Sequence, residues 1–209
     1  MMFPRAGLYA LTPDDLDDRA LEDKVRAVVD GGAVMVQYRQ KGVAPDSAHA
    51  RGCALRSLCH GVGVPLIVND DCALAIAIGA AGVHLGREDV AVAEARRLLG
   101  PDAIIGASCY DSLDRARAAA AAGASYVAFG SVFASPTKPG ASQVPLAVIA
   151  QASRELALPI CAIGGISVAN APAVVAAGAS LLAVISDVFG AADPCAAAQR
   201  YRLLFAPAA

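Results

Sequence analysis

Short apolar runs rich in valine, isoleucine, leucine and alanine recur along the whole chain, separated by stretches long enough for helices. The runs show no clean alternation of apolar and polar residues, which is typical of parallel strands covered on both faces. In one intervening stretch, Leu146, Ile149 and Leu156 recur at helical spacing. The pattern predicts strands over Gly7–Leu11, Val34–Arg39, Pro65–Asn69, Gly82–Leu85, Ile104–Ser108, Tyr126–Gly130, Pro159–Ile163 and Leu181–Ile185.

Residues that favour helix ends lie between the predicted strands and helices. Helix starts are predicted at Thr12-Pro13-Asp14, at Asp111 with Asp114, and at Asn170 before Pro172. Helices are predicted over Asp111–Ala122 and Pro145–Leu158, and glycines precede the next strand at Gly31-Gly32, Gly82, Gly123 and Gly178.

Alternating strands and helices leave two architectures, an open doubly wound sheet or a closed barrel. Eight units in 209 residues, about 26 residues each, favour the barrel. We therefore expect an α/β fold, a single-domain (β/α)8 TIM barrel over residues 1–209.

Composition and charge narrow the classes of function. The chain is 56% hydrophobic with a net charge of −2, which excludes a disordered protein. Seventeen basic against 19 acidic residues leave no surplus for nucleic acid. The uncharged run from Leu156 to Ser186 is divided by Pro159, Gly178 and other breakers, so no membrane span is expected. The six cysteines form no CxxC pair and are expected to be buried thiols of a cytoplasmic protein without a secretion signal.

Reactive side chains concentrate just after the predicted strands, where (β/α)8 barrels build their active sites. Gln37, Arg39 and Lys41 alternate along the end of strand 2, so they can face one anionic ligand. A solvated strand end with salt bridges is the alternative. The other such residues are Asn69, Asp70, Glu88, Asp89, Ser108, Ser135, Pro136, Thr137, Lys138, Gly164, Gly165 and Ser186.

Two of these residues, Asp70 and Asp89, follow neighbouring strands. Two carboxylates with open positions suit Mg2+ held against a substrate's phosphates. Both residues also precede helices, where aspartate is a favoured N-cap, and taken alone the capping interpretation is the stronger one. Asn69 and Asp71 are equally candidates for caps.

The loops after strands 7 and 8 carry Gly164-Gly165 and Ser186. Backbone N–H groups in these loops often bind phosphate in this fold, although a tight turn also explains the glycine pair. Together with the basic cluster, this predicts two phosphorylated small-molecule substrates. The long loop Phe133–Ser142 is a candidate lid, and His84 is expected to be a hydrogen-bonded core histidine rather than a catalyst.

Seven segments, in order and at matching spacing, resemble the thiamine phosphate synthase family over nearly the whole chain. They are Val36–Lys41, Ile67–Asp70, Gly82–Asp89, Ile105–Cys109, Tyr126–Pro139, Ala162–Ile166 and Val184–Ser186. The family joins 4-amino-5-hydroxymethyl-2-methylpyrimidine diphosphate to a thiazole phosphate, releasing pyrophosphate and forming thiamine phosphate by a dissociative substitution at the pyrimidine methylene.

The resemblance implies a role for each matching position. Asp70 and Asp89 would ligate Mg2+, and Arg39, Lys41, Ser108 and Lys138 would be catalytic. The pyrimidine diphosphate would be bound by Gln37, Tyr38, Arg39, Gln40, Lys41, Asn69, Ser108 and Lys138. The thiazole phosphate would be bound by Ser135, Pro136, Thr137, Gly165, Ile185 and Ser186.

The chain departs from the family pattern at Ser135, often threonine, at Asp71 and Ala73, and at Arg87, commonly glutamine. Two other functions stay open at this point. A thiazole tautomerase on the same scaffold would not need the diphosphate and metal residues, and a sensor would bind phosphorylated ligands without turnover. The sequence also leaves a homo-oligomer open.

Overall fold

The computed structural model describes residues 3–134 and 143–205, in which strands and helices alternate as the sequence predicts. The strands β1 to β8 are Gly7–Leu11, Met35–Tyr38, Leu66–Asn69, Gly82–Leu85, Ile104–Tyr110, Tyr126–Gly130, Ile160–Ile163 and Leu181–Val184. The helices α1 to α9 are Asp18–Asp30, Pro45–Gly61, Cys72–Ile78, Val92–Leu99, Leu113–Ala121, Leu146–Glu155, Ala171–Ala176, Ser186–Phe189 and Pro194–Leu203.

The strands form a closed parallel barrel in sequence order, so the predicted barrel is confirmed and the open sheet is excluded. Closure comes from β1, which pairs with β2 on one side and with β8 on the other. Tyr9 lies opposite Met35, and Ala10 lies opposite Val184. All carboxyl ends of the strands therefore meet at one end of the barrel, where the candidate residues were predicted to converge.

Two apolar layers hold the barrel together, because successive strand side chains point to opposite faces. On β2, Met35 packs inside the barrel with Tyr9 and Ile67. Val36 and Tyr38 pack outside, against the helices. Because both faces are buried, the strands carry apolar residues at nearly every position, which explains the absence of alternation in the sequence.

The predicted strands are correct to within two residues, but the helix starts differ. Helix α1 begins at Asp18 and not near Asp14, because the Asp17 carboxylate accepts a hydrogen bond from Ala20 N at 2.8 Å. Helix α5 is capped by Ser112, which accepts from Arg115 N at 3.2 Å, and not by Asp111. Both corrections have the same cause, since several polar residues compete for each cap.

Asn170 directly precedes α7, as predicted, but its side chain does not cap that helix. Its amide instead accepts from Ser167 N at 2.9 Å and donates to the Gly165 carbonyl at 2.9 Å. Asn170 therefore braces the loop after β7. Among residues 3–134 and 143–205, no helix has the length and apolar character that crossing a bilayer requires.

Candidate active site

A cavity of about 580 Å3 opens at the carboxyl ends of the strands. Every strand or the loop after it contributes to the lining, which brings residues far apart in the sequence to one place. Predicted site residues in its lining are Gln37, Arg39, Asn69, Ser108, Gly165, Ile185 and Ser186. These seven residues therefore meet at one cavity, whereas Lys41, Asp70 and Asp89 are not part of its lining.

Side chains at the end of β2 point alternately into the cavity and out toward the helices. Gln37 and Arg39 line the cavity, while Lys41 is exposed at the rim, near enough to Asp70 for its charge to lower the pKa of that carboxyl. Tyr38 corrects the prediction: it is 1% exposed, packs outside the barrel, and donates its hydroxyl proton to the Ala48 carbonyl at 3.2 Å. Gln40 is half-buried and is not in the cavity lining.

Arg39 is held by groups that precede α1. Its guanidinium forms an ion pair with Asp14. The Thr12 hydroxyl accepts from Arg39 N at 2.9 Å and donates to the Arg39 carbonyl at 3.1 Å. Asp14 also accepts from Lys41 N at 3.2 Å. Asp14, which the sequence suggested as part of a helix start, therefore orients the basic cluster.

The Asp70 and Asp89 side chains are close enough to interact, directly after β3 and in the segment after β4. Asp89 is fixed by Gly86 N, which donates to its Oδ2 at 2.6 Å. Asp70 takes a left-handed backbone conformation with φ of 65°, and its N–H donates to the His84 carbonyl at 2.8 Å. Non-glycine residues rarely adopt such a φ outside ligand sites and turns. Backbone groups thus fix the main chain of Asp70 and the carboxylate of Asp89, and the two side chains interact.

The alternative interpretation of these aspartates as helix caps is wrong. Helix α3 is capped by Asp71, whose carboxylate accepts from Leu74 N at 2.8 Å. Helix α4 begins at Val92, after Ala91, three positions beyond Asp89 along the chain. Asp70 and Asp89 are therefore free of a capping role, and Asp71 performs it.

The carboxylate pair fits a divalent cation. Burial, together with the hydrogen bond and charge of Asp89, raises the pKa of Asp70 to about 6. Two facing carboxylates repel each other, and a bound cation removes that cost. In residues 3–134 and 143–205 no group of three or more His, Cys, Asp or Glu side chains surrounds a common point. A cation here would keep positions for water and substrate oxygens, as Mg2+ does.

The opposite side of the cavity is formed by the loops after β7 and β8. Gly164 and Gly165 have φ of 102° and 61°, so the turn that the glycine pair predicts is present. A side chain at Gly165 would also come within 2.8 Å of Phe133 Cβ. Ser186 begins the short helix α8. Loops after strands 7 and 8, followed by a short extra helix, form a common phosphate site in this fold.

A chain of hydrogen bonds crosses the barrel beneath the cavity. Gln37 Nε2 donates to Tyr9 Oη at 2.8 Å, and Tyr9 Oη lies 2.9 Å from Tyr126 Oη. His84 Nδ1 lies 2.9 Å from Tyr126 Oη, and its Nε2 lies 2.9 Å from Ser108 Oγ. His84 is 9% exposed, which agrees with the predicted hydrogen-bonded core histidine, yet it lines the cavity.

A sequence model of the family described as "Thiamine monophosphate synthase" matches residues 8–188, which include the whole barrel from Leu8 to β8. The chain belongs to the thiamine monophosphate synthase family. The proteins of this family to which it is similar include "Thiamine-phosphate synthase" of Azoarcus sp. (strain BH72), 54% identical over 200 residues, 96% of this chain and 97% of that protein. "Thiamine-phosphate synthase" of Thiobacillus denitrificans is 52% identical over 204 residues, 98% of this chain and 96% of that protein.

A solved structure, "Thiamine phosphate pyrophosphorylase from Pyrococcus furiosus", superposes with a TM-score of 0.85 at 34% identity, covering 96% of this chain and 95% of that one. The family resemblance stated from the sequence motifs is therefore confirmed. The match extends over nearly the whole of these relatives, so the barrel and the loops that build the cavity belong to the shared part.

Four residues that the family resemblance assigns to the site, Ser135, Pro136, Thr137 and Lys138, lie outside the described residues, as does most of the predicted lid Phe133–Ser142. The sequence motifs did not predict that Tyr9 and His84 line the cavity, or that Asp14 and Tyr126 hydrogen-bond to residues that line it. Strand alternation could have indicated three of them, because Tyr9, His84 and Tyr126 lie on predicted strands at positions whose side chains point into the barrel.

Proposed function

We propose that the chain is a Mg2+-dependent thiamine phosphate synthase, which joins the aminopyrimidine diphosphate to the thiazole phosphate. The carbon–oxygen bond between the pyrimidine methylene and the diphosphate breaks, and pyrophosphate leaves with the electron pair. The thiazole nitrogen then donates its pair to the methylene carbon. The observation that carries the proposal is the close pair Asp70 and Asp89, with the charge of Lys41 acting on Asp70, next to the cavity that Arg39 and Asn69 line.

The rim near β2 to β4 suits the diphosphate. Arg39 offers a planar fork for phosphate oxygens and Lys41 offers a mobile charge. When held by Asp70 and Asp89, Mg2+ supplies positive charge beside the departing oxygens. Lys138, which the family resemblance assigns to the same substrate, would add a third basic side chain. These groups favour departure because the charge they face grows as the bond breaks.

Gln37, Asn69 and Ser108 line the cavity below the rim and are proposed to hold the pyrimidine ring. Gln37 is 2% exposed, so its amide has a fixed position in the barrel wall. The aminopyrimidine shares the positive charge that develops on its methylene carbon. Ala128, Ile163 and Cys161 give this part of the cavity an apolar lining, which limits the access of water to that carbon.

The loops after β7 and β8 are proposed to bind the thiazole phosphate. In residues 3–134 and 143–205, the N–H groups of Gly165 and Ser186 have no protein acceptor, which leaves them to donate to phosphate oxygens. In the closed barrel β8 is two strands from β2, so this phosphate lies on another side of the cavity from the diphosphate. Binding both substrates at once brings the thiazole nitrogen to the methylene carbon.

The decisive experiment is formation of thiamine phosphate from the two substrates, measured with Mg2+, with EDTA, and with EDTA followed by excess Mg2+. We expect product with Mg2+, loss of product with EDTA, and recovery after Mg2+ is restored. No product at high protein concentration with Mg2+ would refute the proposal. Rearrangement of a thiazole phosphate alone would identify a tautomerase, and calorimetric binding of both substrates without turnover would identify a sensor.

A further inference from the structure

The five groups of the buried hydrogen-bond chain have linked directions. An amide nitrogen can only donate, so Tyr9 Oη accepts from Gln37 Nε2. Within these contacts, both buried phenol protons have an acceptor when Tyr9 donates to Tyr126 Oη and Tyr126 donates to His84 Nδ1. Neutral histidine with an accepting Nδ1 carries its proton on Nε2, which donates to Ser108 Oγ. One orientation of the Gln37 amide therefore sets every proton as far as Ser108.

Burial keeps both phenols in this chain protonated. Tyr9 and Tyr126 are at most 1% exposed, and burial raises the pKa of both hydroxyls above the ordinary tyrosine value. The rings are also fixed, since Tyr126 stacks on His84 with centroids 5.6 Å apart and meets Tyr9 edge to face at 5.8 Å. Among these five groups, two arrangements give both phenol protons an acceptor, this one and its complete reversal.

The two ends of the chain are both in the lining of the cavity. In the observed direction, Gln37 uses its nitrogen inside the barrel and keeps its carbonyl oxygen for a ligand. Ser108 accepts from His84 and keeps its hydroxyl proton for a ligand. The cavity therefore presents an acceptor at Gln37 and a donor at Ser108. A reversed chain would present a donor at Gln37 and an acceptor at Ser108.

We propose that His84 is a positioning residue that, through Tyr126 and Tyr9, makes the site selective for an aminopyrimidine over the corresponding oxopyrimidine. This inference rests on the proposed function, because it concerns the pyrimidine substrate of that reaction. The amino group of an aminopyrimidine donates and the neighbouring ring nitrogen accepts, which matches the observed direction. The oxopyrimidine carries a carbonyl and a ring N–H at the same positions, so its carbonyl faces the Gln37 oxygen, and Ser108 accepts from the ring N–H only by turning its own proton away.

A glycine on β5, Gly106, leaves space for the hydrogen-bonded pair His84 and Tyr126. A Cβ at Gly106 would lie 2.5 Å from His84 Nδ1, and closer still to the Tyr126 ring. Any larger residue would separate the imidazole from the phenol. The pairing of His84 with Tyr126 thus depends on a third strand, as expected of an arrangement that the barrel holds in one geometry.

The proton positions are tested by 15N NMR of histidine in the ligand-free protein. The other two histidines, His49 and His60, are exposed, so the double variant His49→Gln/His60→Gln leaves His84 as the single histidine of the chain. We expect a protonated Nε2 and an unprotonated Nδ1. A proton on Nδ1, alone or together with Nε2, would overturn the proposal without reference to any activity.

Selectivity is tested by calorimetric affinities for the monophosphates of the 4-amino and 4-oxo pyrimidines, neither of which carries the diphosphate leaving group. The full-length protein should bind the amino compound at least about tenfold more tightly. In Tyr126→Phe the link between Tyr9 and His84 is lost, both ends can reorient, and this preference should fall at least about tenfold. Tyr9→Phe breaks the chain one link earlier and serves if Tyr126→Phe does not fold.

The matched control is Tyr38→Phe, which also removes a buried hydroxyl but on the outer face of the barrel. It should keep the preference. Equal weakening of both compounds in Tyr126→Phe, or an unchanged preference in a folded Tyr9→Phe, would show a merely structural chain and contradict the proposal. If the unaltered protein binds neither pyrimidine, the proposed function fails, whereas binding of both with equal affinity refutes the selectivity alone.

Discussion

At the scale of single residues, the geometry of Asp70 and Asp89 carries most of the functional argument. The Asp70 backbone is held by its N–H, which donates to the His84 carbonyl, and the Asp89 carboxylate accepts from Gly86 N. Their repulsion appears in the raised pKa of Asp70, to about 6, after burial, which is the larger cause. A protein gains nothing in stability from two facing carboxylates, so the arrangement is best explained by a ligand with positive charge.

Asp89→Asn tests this interpretation with little change in shape. The variant loses a charged ligand for the cation, so we expect turnover to fall by at least about an order of magnitude and the Mg2+ concentration for half activation to rise. The midpoint of thermal unfolding should not fall, because one of two repelling charges is removed. Asp71→Asn is the matched control, since asparagine also caps helices and Asp71 points to α3. Wild-type activity in Asp89→Asn would contradict the metal site.

The sequence predicted these residues but did not decide their role. Aspartate after a strand is as suitable for a cap as for a metal, and only the positive φ of Asp70 and the contact of Asp71 with Leu74 separate the two uses. The family resemblance assigns Tyr38 to the pyrimidine diphosphate, although strand alternation directs its side chain to the helices. The hydrogen-bond chain through His84 depends on distances between residues on five strands, which no local motif contains.

At the scale of elements, the loop after β7 combines a tight turn with a place for phosphate. Gly165 has a positive φ, and it approaches the segment after β6 too closely for a side chain. Asn170 holds the same loop through the Gly165 carbonyl and Ser167 N. The glycine pair can therefore form a tight turn and also bind phosphate, because the same compact turn exposes backbone N–H groups.

Gly165→Ala should weaken binding of the thiazole phosphate more than that of the pyrimidine diphosphate. We expect the KM for the thiazole phosphate to rise at least about tenfold, equivalent to ~1.4 kcal/mol. Gly100→Ala is the control, because Gly100 also has a positive φ, 88°, but nothing lies within 4 Å of its Cβ position. Equal changes in both KM values, or the same effect in Gly100→Ala, would count against a phosphate site at this loop.

Gly106→Ala tests the packing inside the barrel. The added methyl group would meet His84 and Tyr126, so we expect a loss of about 1–3 kcal/mol in the free energy of unfolding. Gly61→Ala, at the open end of α2, should instead be neutral or stabilising by up to about 1 kcal/mol. Urea unfolding followed by circular dichroism measures both. A Gly106→Ala variant as stable as the parent protein would mean that the interior can rearrange.

The strands were predictable because short apolar runs and helix-length stretches alternate along the sequence. The predicted strand bounds are correct to within two residues. Helix starts were less predictable. Asp14, Asp17, Asp111 and Ser112 are all suitable caps, and packing against the barrel decides which of them starts a helix. β5 continues to Tyr110, past the predicted end at Ser108, because it stays paired with β6 across a register shift.

At the scale of the whole molecule, closure of the barrel is what makes one site from separate segments. β1 joins β8, so the basic end of β2 and the loops after β7 and β8 share a cavity. From the sequence, eight units favoured closure, but the position of each side chain around the cavity required the register of the strands.

Cooperation between metal and phosphate should be visible in the stability of the folded protein. With only two carboxylates identified as ligands, we expect millimolar Mg2+ alone to raise the unfolding midpoint little. Mg2+ together with pyrophosphate should raise the unfolding midpoint by more than the sum of the separate shifts. The pyrophosphate oxygens supply further ligands to the cation, and the cation neutralises charge on the pyrophosphate. Differential scanning fluorimetry measures this, with Asp89→Asn as the comparison. Additive shifts, or the same synergy in Asp89→Asn, would contradict a shared site.

The most direct measurement is a crystal structure of the protein with Mg2+ and pyrophosphate. The account predicts one cation bound by the carboxylates of Asp70 and Asp89, with the pyrophosphate bridging it to Arg39 and Lys41 at the rim of the cavity. A pyrophosphate bound elsewhere, or a cation that contacts neither aspartate, would contradict it.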